Sequence, residues 1–281
     1  MLSHNGTILE EGMPILKTSN RGFRYGDALS ETMRALDGRL VFWEEHYLRL
    51  MSSMRILRMD IPMEFTMEFL ESETHKLLVA NKLDNITASI KLTVYREEGG
   101  GYLPTNPRVS RIIEAAPLRH PFYVLDETPY EIELFRDFHV NEGLLSTLKT
   151  NNSNIRISGS IYGSENGYAN CLLLNSRKMV VGALDGNLFL VSGNRLKTPP
   201  LSDGCQNGII RAKVMEMVRK LENYELEEGS VSPFELQKAD ELFITGSLFG
   251  IRPVTRYRKA DYSNETARDL LGKLNALARL G

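Results

Sequence analysis

A lysine that closes an apolar run can do chemistry. Lys149 ends Leu144-Leu145-Ser146-Thr147-Leu148 and is followed by Thr150-Asn151-Asn152. That pattern sets an amine at the lip of a cleft, where desolvation lowers it from its usual value of about 10.4 and makes it a nucleophile. A second candidate is Thr198-Pro199-Pro200-Leu201-Ser202-Asp203-Gly204-Cys205-Gln206-Asn207-Gly208-Ile209-Ile210-Arg211. Its prolines and glycines make a turn-rich loop, after which Ile209, Ile210, Val214, Met217 and Val218 mark one side of a helix. The first turn of a helix has unpaired N–H groups and a partial positive charge, which suits a phosphate. Gly208 would let an anion come close to the backbone. A third candidate is the pair His46 and Arg49, three apart on a helical pattern and so on one face. An arginine at the edge of a buried face grips a phosphate bidentately. Each feature also has a plain reading: a surface lysine, a helix start that binds nothing, an arginine laying its stem on apolar surface beside a solvated histidine.

Other chemistries find no support. The five histidines show no metal-ligand spacing, so no metal is expected. Gly99-Gly100-Gly101 lacks the lysine and serine of a nucleotide cradle, and no Gly-x-Ser-x-Gly elbow is present. Lys and Arg number 34 against 36 Asp and Glu, a net charge of −2 that gives no basic footprint for nucleic acid. With only Cys171 and Cys205 there is no disulfide framework, which fits a reducing compartment. The first nine residues lack an apolar signal core, and no apolar stretch approaches the roughly 18 residues of a membrane span. A cytoplasmic protein is expected, with neither membrane nor nucleic acid as partner.

The elements that position these residues follow from periodicity. At 281 residues, 42% hydrophobic and 25% charged, the chain reads as globular, with a length that suits about two domains. His4-Asn5-Gly6-Thr7 predicts a tight turn, and Asp37-Gly38 a hairpin between residues 31–36 and 40–42. Trp43, Tyr47, Leu50, Met51, Met54 and Leu57 recur at helical spacing and predict a helix over 43–59, stopped before Pro62; a second covers 64–81. Strands are expected at 89–95 and 108–114. The stretch from Ala116 to Pro121 breaks both periods and reads as a linker. Beyond it come strands near 130–136 and 171–190, a helix near 209–221, strands near 240–256 and a closing helix near 263–279, with Ser263 as its N-cap. The mixture is α+β without an even βαβ rhythm.

In order, the chain carries Arg21-Gly22-Phe23-Arg24-Tyr25-Gly26-Asp27, Glu31-Thr32-Met33-Arg34, His46-Tyr47-Leu48-Arg49-Leu50, Lys149, Asn187-Leu188-Phe189-Leu190, Thr198-Pro199-Pro200 with Gly208-Ile209-Ile210-Arg211, and Ala239-Asp240-Glu241-Leu242-Phe243-Ile244-Thr245-Gly246-Ser247 followed by Pro253-Val254. This order and spacing resembles the class IV aminotransferases, the fold-type IV enzymes of pyridoxal phosphate. They include branched-chain and D-amino acid aminotransferases and aminodeoxychorismate lyase. The resemblance runs from about residue 4 to 256. It implies a two-domain α/β (α+β) fold: a small N-terminal domain over 1–117, a linker over 118–124, and a larger pseudo-barrel domain over 125–281 that carries the Schiff-base lysine. It also implies a homodimer, with the cofactor in the cleft between domains. Lys149 would form the Schiff base and shuttle the substrate Cα proton. Arg49, the N–H groups of Ile209 and Ile210, and the Ser247 hydroxyl would hold the phosphate. Arg96 would lie near the substrate carboxylate, with Ser30 and Glu31 beside the substrate.

The chain departs from the family pattern in three places. The family usually has a glutamate five residues before the asparagine of Asn-x-Phe, paired with the pyridine nitrogen; here that position is Gly182. Asp185 follows three residues later, where a bulge is needed to redirect it. Losing a charge-assisted bond of about 1.5–3 kcal/mol in the transition state would slow proton abstraction about tenfold to a hundredfold or more. Ser30 stands where an aromatic usually walls the substrate pocket, and Ile210 where a threonine often adds a hydroxyl. Three readings follow. The first is transfer of an amino group between an amino acid and a 2-oxo acid. The second is a lyase of the aminodeoxychorismate kind. The third is a cofactor-binding homologue with little turnover.

Overall fold

The computed structural model describes residues 1–280, which divide into two compact units. The first comprises Met1–Pro121 together with Lys149–Asn152. It opens with a hairpin of β1 (Leu2–His4) and β2 (Thr7–Leu9), closed by Asn5 and Gly6, both at positive φ as the tight turn requires. After α1 (Arg21–Tyr25) comes a second hairpin, β3 (Ala28–Leu36) and β4 (Arg39–Leu40), turning at Asp37-Gly38. Two helices follow, α2 (Trp43–Ile56) and α3 (Met67–Ala80), then the long strands β5 (Ala88–Arg96) and β6 (Val109–Pro117). The sheet order is β2-β1-β6-β5-β3-β4, with all neighbours antiparallel. Helix α2 buries Leu50, Met51 and Met54 and packs on β3; α3 buries Leu70, Leu77 and Leu78 and packs on β6 and β1. The expected run to residue 59 stops at Ile56, because Arg58 takes a left-handed φ of 53°. The strand expected over 108–114 reaches Pro117, paired at its end with Ala88.

Residues Lys149–Asn152 belong to this unit because they extend the edge of β3. The Ser30 N–H donates to the Lys149 carbonyl at 2.9 Å and the Asn151 N–H to the Ala28 carbonyl at 3.1 Å. Leu29 and Thr150 form the antiparallel bridge between them.

The second unit comprises Phe122–Leu148 and Ser153–Leu280. Its elements are β7 (Glu131–Val140), a 3-10 turn (Leu144–Thr147), α4 (Asn154–Glu165), β8 (Asn170–Asn175), β9 (Val180–Ala183), β10 (Asn187–Ser192), β11 (Arg195–Thr198) and α5 (Ile209–Arg219). Then come β12 (Glu225–Glu228), α6 (Pro233–Leu236), β13 (Glu241–Gly246), β14 (Gly250–Pro253), β15 (Arg256–Tyr257), β16 (Ala260–Asp261) and α7 (Glu265–Leu280). They build two five-stranded sheets, β12-β11-β10-β13-β14 and β16-β15-β7-β8-β9. Leu134, Leu172, Leu188, Leu242, Ile244 and Tyr257 share one core, each aliphatic side chain contributing about 1.5–3 kcal/mol on burial.

Ser263 is not the cap of α7. Its hydroxyl donates to the Asp240 carbonyl, and the helix starts two residues later. The buried carboxylate of Glu241, on β13, accepts the N–H groups of Thr266 at 2.8 Å and Ala267 at 3.2 Å instead. An anion at a helix start meets both the orphaned donors and the positive end of the dipole. The expected mixed α/β fold is present, and no helix among the described residues is long and apolar enough to cross a membrane.

Candidate active site

In the first unit the backbone pairing with β3 fixes where Lys149 begins, and Thr32 fixes where it ends. The Lys149 ammonium donates to Thr32 Oγ1 at 2.7 Å. Thr32 lies on β3 two residues from Ser30, so a single strand holds the lysine by backbone and by side chain.

Between Ser30 and Thr32, Glu31 meets α2. His46 Nδ1 contacts Glu31 Oε2 at 2.7 Å, while Arg49 donates through Nε to Oε1 at 2.9 Å and through Nη2 to Oε2 at 2.5 Å. Burial pushes the Glu31 carboxyl up, but the Arg49 charge and the bonds from His46 and Arg49 outweigh it and hold it down at about 2. Burial pushes the His46 imidazole down, against the pull of Glu31. The neutral imidazole then donates its Nδ1 proton to the carboxylate. The helical spacing of His46 and Arg49 therefore serves one buried acid, and the planar fork of Arg49 is fixed by it. Glu31, expected beside the substrate, is 2% exposed and committed to these two partners.

Arg96 is equally committed. Its Nε donates to Asp27 Oδ2 at 3.0 Å, Nη1 to the Arg58 carbonyl at 3.0 Å and Nη2 to the Leu57 carbonyl at 2.8 Å. It closes the C-terminal end of α2, and Arg21 shares the same Asp27 oxygen at 2.8 Å. The structure thus places Arg96 on a helix end, with all three nitrogens engaged.

In the second unit, α5 begins without a side-chain cap and with no acidic residue in its first turn, so the donors of Ile209 and Ile210 keep their polarity. Asn187, at the start of β10, steadies this end: its Nδ2 donates to the Gln206 carbonyl at 2.7 Å, and its Oδ1 occupies the space a Cβ at Gly208 would need. Opposite Asn187 in register stands Thr245, 1% exposed, whose Oγ1 is buried without a hydrogen-bond partner. The β13–β14 turn that follows carries Ser247.

Gly182 lies on β9 at a φ of +152°, and a Cβ there would stand 3.0 Å from the Gly186 carbonyl. The β8–β9 register shifts beside it, between Leu173 and Leu174. Asp185 accepts from Asn170 Nδ2 at 2.6 Å, and the same amide donates to the Tyr130 hydroxyl at 2.6 Å. Burial, then the Asp185 charge, pushes the Tyr130 phenol up to about 12.

The sequence profile of the amino-transferase class IV family matches residues 28–257. The chain belongs to this family. It is 29% identical over 272 residues to a putative branched-chain-amino-acid aminotransferase of Methanocaldococcus jannaschii, covering 96% of this chain and 92% of that one. It is 28% identical to the 4-amino-4-deoxychorismate lyase of Pseudomonas aeruginosa, whose crystal structure superposes with a TM-score of 0.83 over 98% of each chain. The branched-chain aminotransferase of Thermobaculum terrenum in its PLP form shares the fold, with a TM-score of 0.86 at 21% identity over 100% of this chain and 94% of that one.

Pyridoxal phosphate is the cofactor of class IV amino-transferases, and the residues present suit it. It needs an amine, a fixed cation, and donors without protein acceptors. In the first unit Lys149 offers such an amine and Arg49 such a cation; in the second, taken by itself, the start of α5 has uncapped donors and the orphaned Thr245 hydroxyl marks polar capacity that the fold leaves unused. Among the described residues no group of three or more His, Cys, Asp or Glu side chains is gathered for a metal. Sequence reasoning missed Thr32 and Thr245. Thr32 stands in the quoted Glu31-Thr32-Met33-Arg34 motif, but its partner is 117 residues away. For Thr245 the only signal is its place beside Gly246-Ser247.

Proposed function

We propose that this class IV amino-transferase moves an amino group between an amino acid and a 2-oxo acid, with Lys149 as the amine that carries the cofactor. The observation that carries the reading is the double tether of Lys149 to β3, by its carbonyl to Ser30 and by its ammonium to Thr32, which orients the amine before any ligand arrives. Pyridoxal phosphate supplies an electrophilic carbon and a ring that withdraws electrons from the substrate Cα. The chain supplies the rest. Lys149 Nζ is the base that takes the Cα proton and returns it. Arg49, locked in orientation by Glu31, is the cation assigned to the phosphate, with the first N–H groups of α5 and the Ser247 hydroxyl.

A second reading, a lyase, draws support from the 28% identity to the Pseudomonas lyase over 98% of both chains. The two differ in product. Amino transfer consumes a 2-oxo acid acceptor, whereas a lyase releases pyruvate from aminodeoxychorismate without one. The first experiment is an absorption spectrum with pyridoxal phosphate before and after borohydride, with the labelled peptide mapped. A yellow band trapped on Lys149 supports the reading; an adduct on another lysine, or no band on folded protein, rejects it. The same reading carries a homodimer as its expected assembly, which light scattering checks.

A further inference from the structure

The residues expected to form a linker include Tyr123, and the structure gives that tyrosine a built environment. It is 5% exposed, and its hydroxyl donates to the Ser247 carbonyl at 3.1 Å. Its backbone is clipped at both ends by one side chain of α7: the Tyr123 N–H donates to Asn275 Oδ1 at 2.9 Å, and Asn275 Nδ2 donates to the Tyr123 carbonyl at 2.8 Å. One turn along α7, the Arg279 guanidinium lies 3.9 Å from the ring centre of Phe122. The ring of Tyr123 covers the start of β14, where Gly250 has a φ of +75° and a Cβ would stand 2.7 Å from Tyr123 Cγ. Only glycine fits there, by conformation and by space. The other end of β13 is also tied to α7, through Glu241. The segment from Thr245 to Gly250 is therefore braced against one helix from both sides.

A hydrogen bond to the Ser247 carbonyl holds the plane of the peptide that follows Ser247, and with it the backbone from which the Ser247 side chain projects. We propose that Tyr123 is a positioning residue for the phosphate-binding turn: held by Asn275, its hydroxyl sets Ser247 for the cofactor phosphate. This rests on the assignment of Ser247 to the phosphate made above.

The test compares two probes, pyridoxal phosphate and pyridoxal, the second lacking only the phosphate. Dissociation constants are measured by absorbance titration for the wild type, Tyr123→Phe, Ser247→Ala, the double variant and Asn275→Ala. Tyr123→Phe keeps the ring on Gly250 and removes one hydrogen bond. The expected result is an affinity for pyridoxal phosphate weakened about two- to tenfold, with pyridoxal unchanged. Asn275→Ala should move the same probe in the same direction. In the Ser247→Ala background the Tyr123→Phe change should have little further effect, because the two act as one unit. Equal losses for both probes would mean a general packing role and overturn the proposal, as would no loss for either. A wild type that binds both probes equally would instead overturn the phosphate assignment itself, and this inference with it.

Discussion

Lys149 Nζ and Thr32 Oγ1 are 2.7 Å apart, although 117 residues separate them in the chain. The pairing gives the amine an acceptor on a strand whose backbone already holds the lysine carbonyl. A base must sit within about 2.6–3.2 Å of the proton it moves, so a side chain with four rotatable bonds gains from such an anchor.

Lys149→Ala should abolish the borohydride-trapped adduct while the fold survives, since Lys149 is not a core residue. Thr32→Val keeps the shape of the side chain and removes its hydroxyl as an acceptor. It should slow adduct formation and exchange of the substrate Cα proton by about tenfold, the worth of one hydrogen bond to a charged group. Thr32→Ser should recover most of the loss. Stopped-flow absorbance and deuterium washout measure the two rates. A Thr32→Val enzyme at full speed would show that the tether is incidental.

The Glu31 carboxyl predicts an acid limit. Its ordinary value near 4.5 falls to about 2 in the folded protein, so the unfolded chain binds the proton first as pH drops. Stability from this group is complete above about 4.5 and is lost progressively as pH falls from there toward 2, on the order of 3 kcal/mol in all. Glu31→Gln keeps the volume but removes the charge to which His46 and Arg49 are bonded. It should destabilise the protein by about 3–5 kcal/mol at neutral pH and flatten the acid limb. Urea unfolding at a series of pH values checks both. An unchanged acid limb in Glu31→Gln would assign the pH dependence to other groups.

These relationships also mark where the sequence stops being legible. The stripe of Trp43, Leu50, Met51 and Met54 predicts α2 because burial on one face has a period, and a period is local. Asn5-Gly6 and Asp37-Gly38 predict their hairpins because positive φ is a property of the residue. Lys149 is visible as an amine at the end of an apolar run. What the sequence hides is partnership. Arg96 looks available for a carboxylate until α2 ends beneath it and offers two carbonyls. Glu31 looks available until α2 brings His46 and Arg49 to it. Ser263 looks like a cap, but the cap is Glu241, on a strand 24 residues before the helix begins. Each case concerns a polar group whose partner is set by packing.

The Glu241 cap should be measurable on its own. Glu241→Ala removes an acceptor for two buried N–H groups and an anion from the positive end of α7. A destabilisation of about 1–3 kcal/mol is expected, seen as a lower urea midpoint with an unchanged slope. Ser263→Ala should fall within about 0.5 kcal/mol of wild type. The reverse order of effects would restore Ser263 as the cap.

Gly182 raises the sharpest conflict between sequence and backbone. By family pattern a glutamate there would give the pyridine nitrogen a partner, and Gly182→Glu would be expected to raise the rate. The backbone argues otherwise. A φ of +152° is a conformation side chains rarely adopt, and the Gly186 carbonyl stands 3.0 Å from any Cβ. Strain of this kind costs about 1–3 kcal/mol. Gly182→Ala carries the strain without the charge and should lower stability by that amount. Gly182→Glu should lose at least as much, and gain no rate unless β9 shifts to relieve it. Thermal unfolding of both variants, beside the amino-acid half-reaction rate, separates backbone from charge. A stable, faster Gly182→Glu enzyme would mean that the strand accommodates a side chain and that the missing carboxylate alone limits the chemistry. A destabilised pair with no gain in rate would mean that this chain's backbone is built around glycine here, and that a single substitution does not recover the family's carboxylate.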